Sequence, residues 1–102
     1  HSFSAHMEQL DKCLFHNFYV SLNGIMTFTK DDRQLEAAKK IPLDRLMLET
    51  DAPFLTPAPL RGQLCEPKHI VYTASFLANL RQEDLKDLIN TTTRNAIDFF
   101  NL

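Results

Sequence analysis

Residues 46–53 read Leu46-Met47-Leu48-Glu49-Thr50-Asp51-Ala52-Pro53, a run of three apolar residues that leads into two carboxylates and ends at a proline. A short apolar run bounded by turn residues is typical of a buried strand in a parallel sheet. In α/β proteins, ligands and catalytic groups gather at the carboxyl ends of such strands. We therefore expect Glu49 and Asp51 to lie at a functional site, where metal ions, cationic side chains or backbone donors offset the cost of burying a carboxylate.

The composition is that of an ordinary globular protein. The chain has 102 residues, of which 44% are apolar and 24% charged, which is enough for one small domain with a core. No apolar run approaches the roughly 20 residues that span a bilayer, and no basic leader precedes an apolar segment. With only Cys13 and Cys65 available, we expect free thiols. These features predict a cytoplasmic protein without a membrane partner, or a nuclear one if the source is eukaryotic.

The net charge of -2 excludes few functions. A protein that holds nucleic acid only by releasing counter-ions normally presents a basic face. A metal-dependent nuclease does not need one, because divalent cations neutralise the scissile phosphate.

The first half of the chain alternates helices and strands. Ser4 and the apolar spacing that follows predict a helix over residues 5–15, and the aromatic run that ends before Asn23-Gly24 predicts a strand over residues 18–22. A capping pattern at residues 29–32 predicts a second helix that Pro42 ends. The second strand is predicted over residues 46–49. Strands that alternate with helices indicate βαβ units and a parallel sheet.

The second half is a long loop followed by helices. Residues 51–67 hold four of the five prolines, and a stiff loop directly after a strand end favours a functional role. Pro67 predicts the start of a helix with Ile70, Ala74 and Leu77 on its buried face. Further helices are predicted over residues 83–90 and from Thr92 or Thr93 to the end of the chain. Two strands do not bury both faces of a sheet, so we expect the closing section of a larger α/β fold, cut at its N-terminal end.

The order and spacing of the motifs closely resemble those of the TatD family of metal-dependent deoxyribonucleases. The matching motifs are His1-Ser2-Phe3-Ser4, Phe18-Tyr19-Val20-Ser21, Gly24, Thr27-Phe28, Ile41-Pro42-Leu43-Asp44-Arg45-Leu46, Glu49-Thr50-Asp51-Ala52-Pro53, Pro59, Arg61-Gly62, Glu66-Pro67, Thr92-Thr93 and Asn95-Ala96. The resemblance covers essentially the whole chain, but only about two-fifths of a (β/α)8 TIM barrel of about 250 residues. It implies one domain segment over residues 1–102, from the end of strand 6 through strand 8 to the C-terminal helices.

The resemblance also implies a site. His1 and Asp51 match metal ligands of the family, Asp51 and Glu49 match its catalytic carboxylates, and Arg61 is placed to contact a DNA phosphate. The implied cofactors are divalent metal ions, two per complete site, with Zn, Mg or Mn as candidates. The implied reaction is hydrolysis of DNA phosphodiester bonds, of the 3'-5' exonuclease type, on single-stranded DNA or frayed ends. The family draws its other ligands from earlier strands, so we expect the chain alone to be inactive.

Less specific interpretations remain open. On residue type alone, Glu49 and Asp51 could cap a helix or form ion pairs, and His1 could be a tag remnant. We expect His6, His16 and His69 on the surface or rim, and Phe76, Phe99 and Phe100 in the core. One alternative function is a non-catalytic interaction module that self-associates through the apolar faces of Val20, Leu22, Met47 and Leu48. Another is a related metal hydrolase that acts on small amides or esters.

Overall fold

Two short parallel strands lie at the centre of the computed structural model, which describes residues 3–102. Strand β1 spans Val20–Leu22 and strand β2 spans Leu46–Leu48, with Val20 opposite Leu46 and Leu22 opposite Leu48. Both are shorter than predicted, since residues 18, 19 and 49 lie outside the regular ladder. The backbone N–H of Phe3 donates to the carbonyl of Ser21 over 2.8 Å. The predicted parallel sheet is confirmed.

Within residues 3–102 four α-helices pack with the strands. Helix α1 spans Met7–Phe15, α2 Asp32–Lys40, α3 Ile70–Arg81 and α4 Leu85–Phe100. Three short 3₁₀ helices, Gly24–Thr27, Leu43–Arg45 and Pro67–His69, lie in the connections. None of the helices within residues 3–102 is long and apolar enough to cross a membrane.

The helices cover one face of the sheet, and the core lies there. Val20 and Leu22 are only 3% and 1% exposed, and they pack with Leu10, Leu46 and Leu77. The expectation that Val20 and Leu22 would be exposed is therefore wrong, because alternate strand residues point into the layer of helices. Met47 and Leu48 are half-buried.

The first helix begins two residues later than predicted. His6, and not Ser4, is its N-cap, and the His6 backbone N–H donates to Oε1 of Gln9 over 3.2 Å. Leu10 is fully buried, as the helical spacing predicted.

The second helix ends where the sequence predicted. Ile41 adopts an extended conformation before Pro42, as steric contact with a following proline ring requires. At the start of this helix Asp31 is the N-cap, and its carboxylate accepts the backbone N–H of Arg33.

The C-terminal region forms one helix where two were predicted. Thr92 does not cap a new helix but lies buried within α4, where its hydroxyl donates to the carbonyl of Leu88 over 2.8 Å. Asn95 is also buried, and its amide donates to the carbonyls of Leu43 and Leu46. These contacts fix α4 against the start of β2.

Two predictions about buried and exposed rings are wrong. Phe99 and Phe100 are 54% and 62% exposed, although Phe76 does pack against the core. His69, expected on the surface or rim, is 7% exposed. Both cysteines are free thiols, as expected.

Candidate functional site

The two predicted carboxylates lie at the carboxyl end of β2. The backbone N–H of Glu49, directly after the last residue of β2, donates to the carbonyl of Leu22 over 2.9 Å. Asp51 is exposed at the beginning of the following loop, and its carbonyl accepts the backbone N–H of Phe54 over 2.8 Å. The half-buried Glu49 therefore lies beside the end of β1, and Asp51 lies just beyond the sheet.

The loop after β2 is held closed by hydrogen bonds. The backbone N–H of Cys65 donates to the carbonyl of Pro53 over 3.0 Å, which brings the two ends of the loop together. Within it, the hydroxyl of the buried Thr56 donates to the carbonyl of Gln63 over 2.6 Å. A segment without helix or strand is thus ordered by its own polar groups.

The 3₁₀ helix Gly24–Thr27 supports this loop from the end of β1. The hydroxyl of Thr27 accepts the backbone N–H of Ala58 over 2.8 Å and donates to the carbonyl of Gly24 over 2.7 Å. A Cβ on Gly24 would lie 2.5 Å from the carbonyl oxygen of Leu55, so only glycine allows this approach. The segments that follow the two neighbouring strands therefore form one packed unit.

Arg61 lies on the same loop with its guanidinium fixed on two sides. Its central carbon is 4.0 Å from the centroid of the Phe28 ring. Its Nη1 donates to the carbonyl of Thr56 over 3.0 Å. The residue as a whole is exposed, at the surface of the loop that begins with Asp51.

His69, which was predicted on the surface or rim, is a buried polar residue near this loop. Its Nδ1 accepts the backbone N–H of Glu66 over 3.0 Å, so the proton of the neutral ring lies on Nε2. Nε2 is 3.8 Å from Oε2 of Glu66. The spacing of three residues between Glu66 and His69 is that of a capping box, and this pattern could have indicated the contact.

The described residues do not form a complete metal site. Carboxylate oxygens such as those of Glu49 and Asp51 are suitable ligands for hard divalent cations. Nowhere in residues 3–102, however, do three or more His, Cys, Asp or Glu side chains come together in a way that could hold a metal ion. His1, the other predicted ligand, lies outside the described residues. The type of donor fits a divalent metal, but the number of donors does not suffice.

Comparison with known proteins gives the family. Residues 1–101 match the model of a family described as "TatD related DNase". The chain belongs to this family. A relative from Bacillus subtilis (strain 168), named "Uncharacterized metal-dependent hydrolase YabD", is 39% identical over 102 residues, which are all of this chain and 40% of that protein.

Solved structures of TatD type share the fold. The crystal structure of YJJV, a TatD homologue from Escherichia coli K12, superposes on the whole chain and on 39% of its own length, with a TM-score of 0.91 at 25% identity. A structure described as an uncharacterized amidohydrolase from Saccharomyces cerevisiae covers 96% of the chain and 38% of its own length, with a TM-score of 0.80 at 25% identity. The two parallel strands and their helices are thus part of a TatD-type TIM barrel.

The chain spans about two-fifths of the length of the curated relatives it matches. The relatives are named metal-dependent hydrolases.

Proposed function

We propose that the complete protein of this TatD-family chain is a metal-dependent deoxyribonuclease that hydrolyses DNA phosphodiester bonds. The observation that carries the proposal is the position of Glu49 and Asp51, at the carboxyl end of a parallel strand in a chain of the TatD related DNase family. In TIM barrels, catalytic groups come from this end of the strands.

In this proposal the chain supplies part of the site. Asp51 is a metal ligand and catalytic carboxylate, His1 is a second ligand, and Glu49 is the neighbouring catalytic carboxylate. Further residues of the complete protein supply the other ligands of a two-metal site that takes Zn, Mg or Mn. Bound divalent metals lower the pKa of a coordinated water and neutralise charge on phosphate oxygens.

Arg61 is the proposed substrate-binding residue. A guanidinium presents five N–H donors in a fixed fork that matches phosphate oxygens, and one of these donors is used by the Thr56 carbonyl. The substrate is single-stranded DNA or a frayed end, degraded in the 3'-5' direction, as the family resemblance implies. A cytoplasmic location agrees with the two free thiols.

A second candidate is a metal hydrolase of small amides or esters. The similarity to a structure described as an amidohydrolase favours it, since one barrel type hosts several chemistries. The third possibility, a non-catalytic interaction module, applies if the chain functions alone, because its described residues do not complete a metal site.

The test is metal-dependent cleavage of labelled single-stranded DNA by the complete gene product, compared with its Asp51→Asn variant. We expect the protein to cleave the DNA when Mg, Mn or Zn is present and not to cleave it when a chelator removes the metal. Asp51→Asn should lower kcat at least about a hundredfold, because changes to residues that merely support metal ligands already cost 10–100-fold. Asp11→Asn, an exposed aspartate on α1, is the matched control and should retain activity.

Equal activity of the Asp51→Asn and Asp11→Asn variants would show that Asp51 is not a ligand. No cleavage of DNA together with metal-dependent hydrolysis of amide or ester substrates would favour the second candidate.

A further inference from the structure

The aromatic ring of Phe28 lies directly under the guanidinium of Arg61. The distance of 4.0 Å from the central guanidinium carbon to the ring centroid is well within the roughly 6 Å of a cation–π contact. The Thr56 carbonyl accepts a hydrogen bond from Nη1 at one edge of the same group. One face and one edge of the guanidinium are therefore fixed by different parts of the chain.

Both parts are themselves held in place. Phe28 ends the 3₁₀ helix that follows β1, and its backbone N–H donates to the carbonyl of Ile25 over 3.1 Å. The loop that carries Arg61 is joined to this 3₁₀ helix by the hydrogen bond from the backbone N–H of Ala58 to the hydroxyl of Thr27. Hydrogen bonds therefore hold both the loop that carries Arg61 and the backbone of Phe28, whose ring lies against the guanidinium.

We propose that Phe28 is a positioning residue, which orients the Arg61 guanidinium so that its remaining N–H donors bind a phosphate group of single-stranded DNA. The proposal rests on the proposed function and adds that the Phe28 ring orients Arg61 before the substrate binds. Stacking leaves the N–H donors in the plane of the guanidinium, where a phosphate is bound through two parallel hydrogen bonds. An arginine held in this plane before binding loses less side-chain entropy when the phosphate binds.

A purely structural role makes a different prediction. If the stack only stabilised the loop, replacing Phe28 would lower stability and kcat without a specific effect on DNA binding. If it positions Arg61, the loss appears in binding and depends on the presence of Arg61.

The experiment uses the complete gene product and consists of two measurements for each variant. One is kcat and KM for cleavage of a single-stranded oligonucleotide. The other is the Kd of the same oligonucleotide for the non-cleaving Asp51→Asn protein, by fluorescence anisotropy over a range of salt concentrations. Phe28→Leu should raise KM and Kd about two- to fivefold and leave kcat unchanged. Phe28→Tyr should keep KM and Kd close to the wild-type values, because tyrosine also presents a π-face to the guanidinium.

Arg61→Ala should weaken binding about tenfold or more and lower the slope of log Kd against log salt by about 0.7, the value for one phosphate contact on a single strand. Phe28→Leu should leave this slope unchanged, since it removes no charge. In the Arg61→Ala background, Phe28→Leu should have no further effect on Kd. Phe15→Leu and Arg94→Ala, at exposed positions on α1 and α4, are the matched controls.

The inference is overturned if Phe28→Leu binds DNA like Phe15→Leu, or if its effect is as large without Arg61 as with it. It is also overturned if Phe28→Tyr fails to restore the Kd while unfolding at the same temperature as the wild type. These outcomes differ from failure of the proposed function, which would appear as the absence of metal-dependent DNA cleavage in the protein with Asp51 intact.

Discussion

Asp31 joins the beginnings of two helices with one carboxylate. Its Oδ1 accepts the backbone N–H of Arg33 as the N-cap of α2, and its Oδ2 lies 2.9 Å from Nε2 of His6, the N-cap of α1. The hydrogen bond with His6, followed by those from Arg33, lowers the pKa of Asp31 from 3.8 to about 2. The folded protein therefore favours the ionised carboxylate.

This lowered pKa predicts a loss of stability in acid. A group whose pKa is lower in the folded state stabilises the protein above its unfolded pKa, and this contribution is lost as the pH falls towards the folded value. At about pH 5 we expect the free energy of unfolding of the wild type to exceed that of Asp31→Asn. The difference should shrink between about pH 4 and about pH 2.

Urea unfolding of the complete protein at several pH values measures this difference. Asparagine is an equally good N-cap, so the variant tests the charge and not the cap. Asp11→Asn, at an exposed position on α1, is the matched control. A difference between wild type and Asp31→Asn that stays constant down to pH 2 would show that the His6 contact does not favour the carboxylate.

At the scale of residues, the sequence located the carboxylates but not their surroundings. Glu49 and Asp51 follow an apolar run, and this local pattern places them at a strand end. The ring beneath Arg61 belongs to a residue 33 positions earlier, and no local pattern links the two. His69 was predicted on the surface or rim although its bond with Glu66, three residues earlier, is local.

At the scale of elements, Arg81 connects the ends of α2 and α3. Its side chain is only 4% exposed. Nη1 donates to the carbonyl of Ala38 and Nη2 to that of Ile41, each over 2.6 Å, and Nε bonds to Glu83. The last carbonyls of a helix lack partners within it, so a buried arginine satisfies groups that water does not reach.

Replacing this arginine by an apolar residue of similar length should be costly. Arg81→Met retains much of the packing but leaves two carbonyls and the Glu83 carboxylate without a donor. We expect the free energy of unfolding to fall by about 2–3 kcal/mol. The midpoint and slope of urea unfolding of the complete protein give the value. The exposed Arg94→Met should stay within about 0.5 kcal/mol of the wild type, and an equally small effect at Arg81 would contradict this role.

The helices also show where local patterns stop being informative. Pro42 ended α2 as predicted, because a proline restricts the residue before it whatever the tertiary contacts are. Thr92 or Thr93 was predicted to start a helix, but α4 continues through both residues. The Thr92 hydroxyl bonds back to Leu88, and Asn95 donates to two carbonyls before and within β2. The Thr92 hydroxyl is thus satisfied within the helix, and the tertiary bonds of Asn95 hold this part of α4 in place, which outweighs the weak preference of threonine for a cap.

At the scale of the whole molecule, one side of the sheet is well covered and the other is not. The helices bury Val20 and Leu22, while a groove lies on the side of Tyr19, Met47 and Glu49, with Phe99 and Phe100 of α4 at its wall. Phe99 packs edge-on against Tyr19, with ring centroids 5.4 Å apart, and still remains half-exposed. In a (β/α)8 barrel the strand face away from the helices lies inside the barrel, so we expect further strands of a TatD-type barrel to cover this groove.

The chain produced alone should therefore self-associate. Phe15, Phe18, Phe99 and Phe100 are 54–86% exposed, and clustered apolar surface of this kind favours association in water. We expect size-exclusion chromatography with light scattering to give a mass above that of one chain, rising with concentration. A Phe99→Ser, Phe100→Ser double variant should shift the mass towards the monomer, because it removes two of the exposed rings beside the groove. Phe54→Ser, at an exposed ring on the loop after β2, should not. A cooperative monomer at all concentrations would show that the exposed rings do not drive association, and that the helices on one face suffice to stabilise two strands.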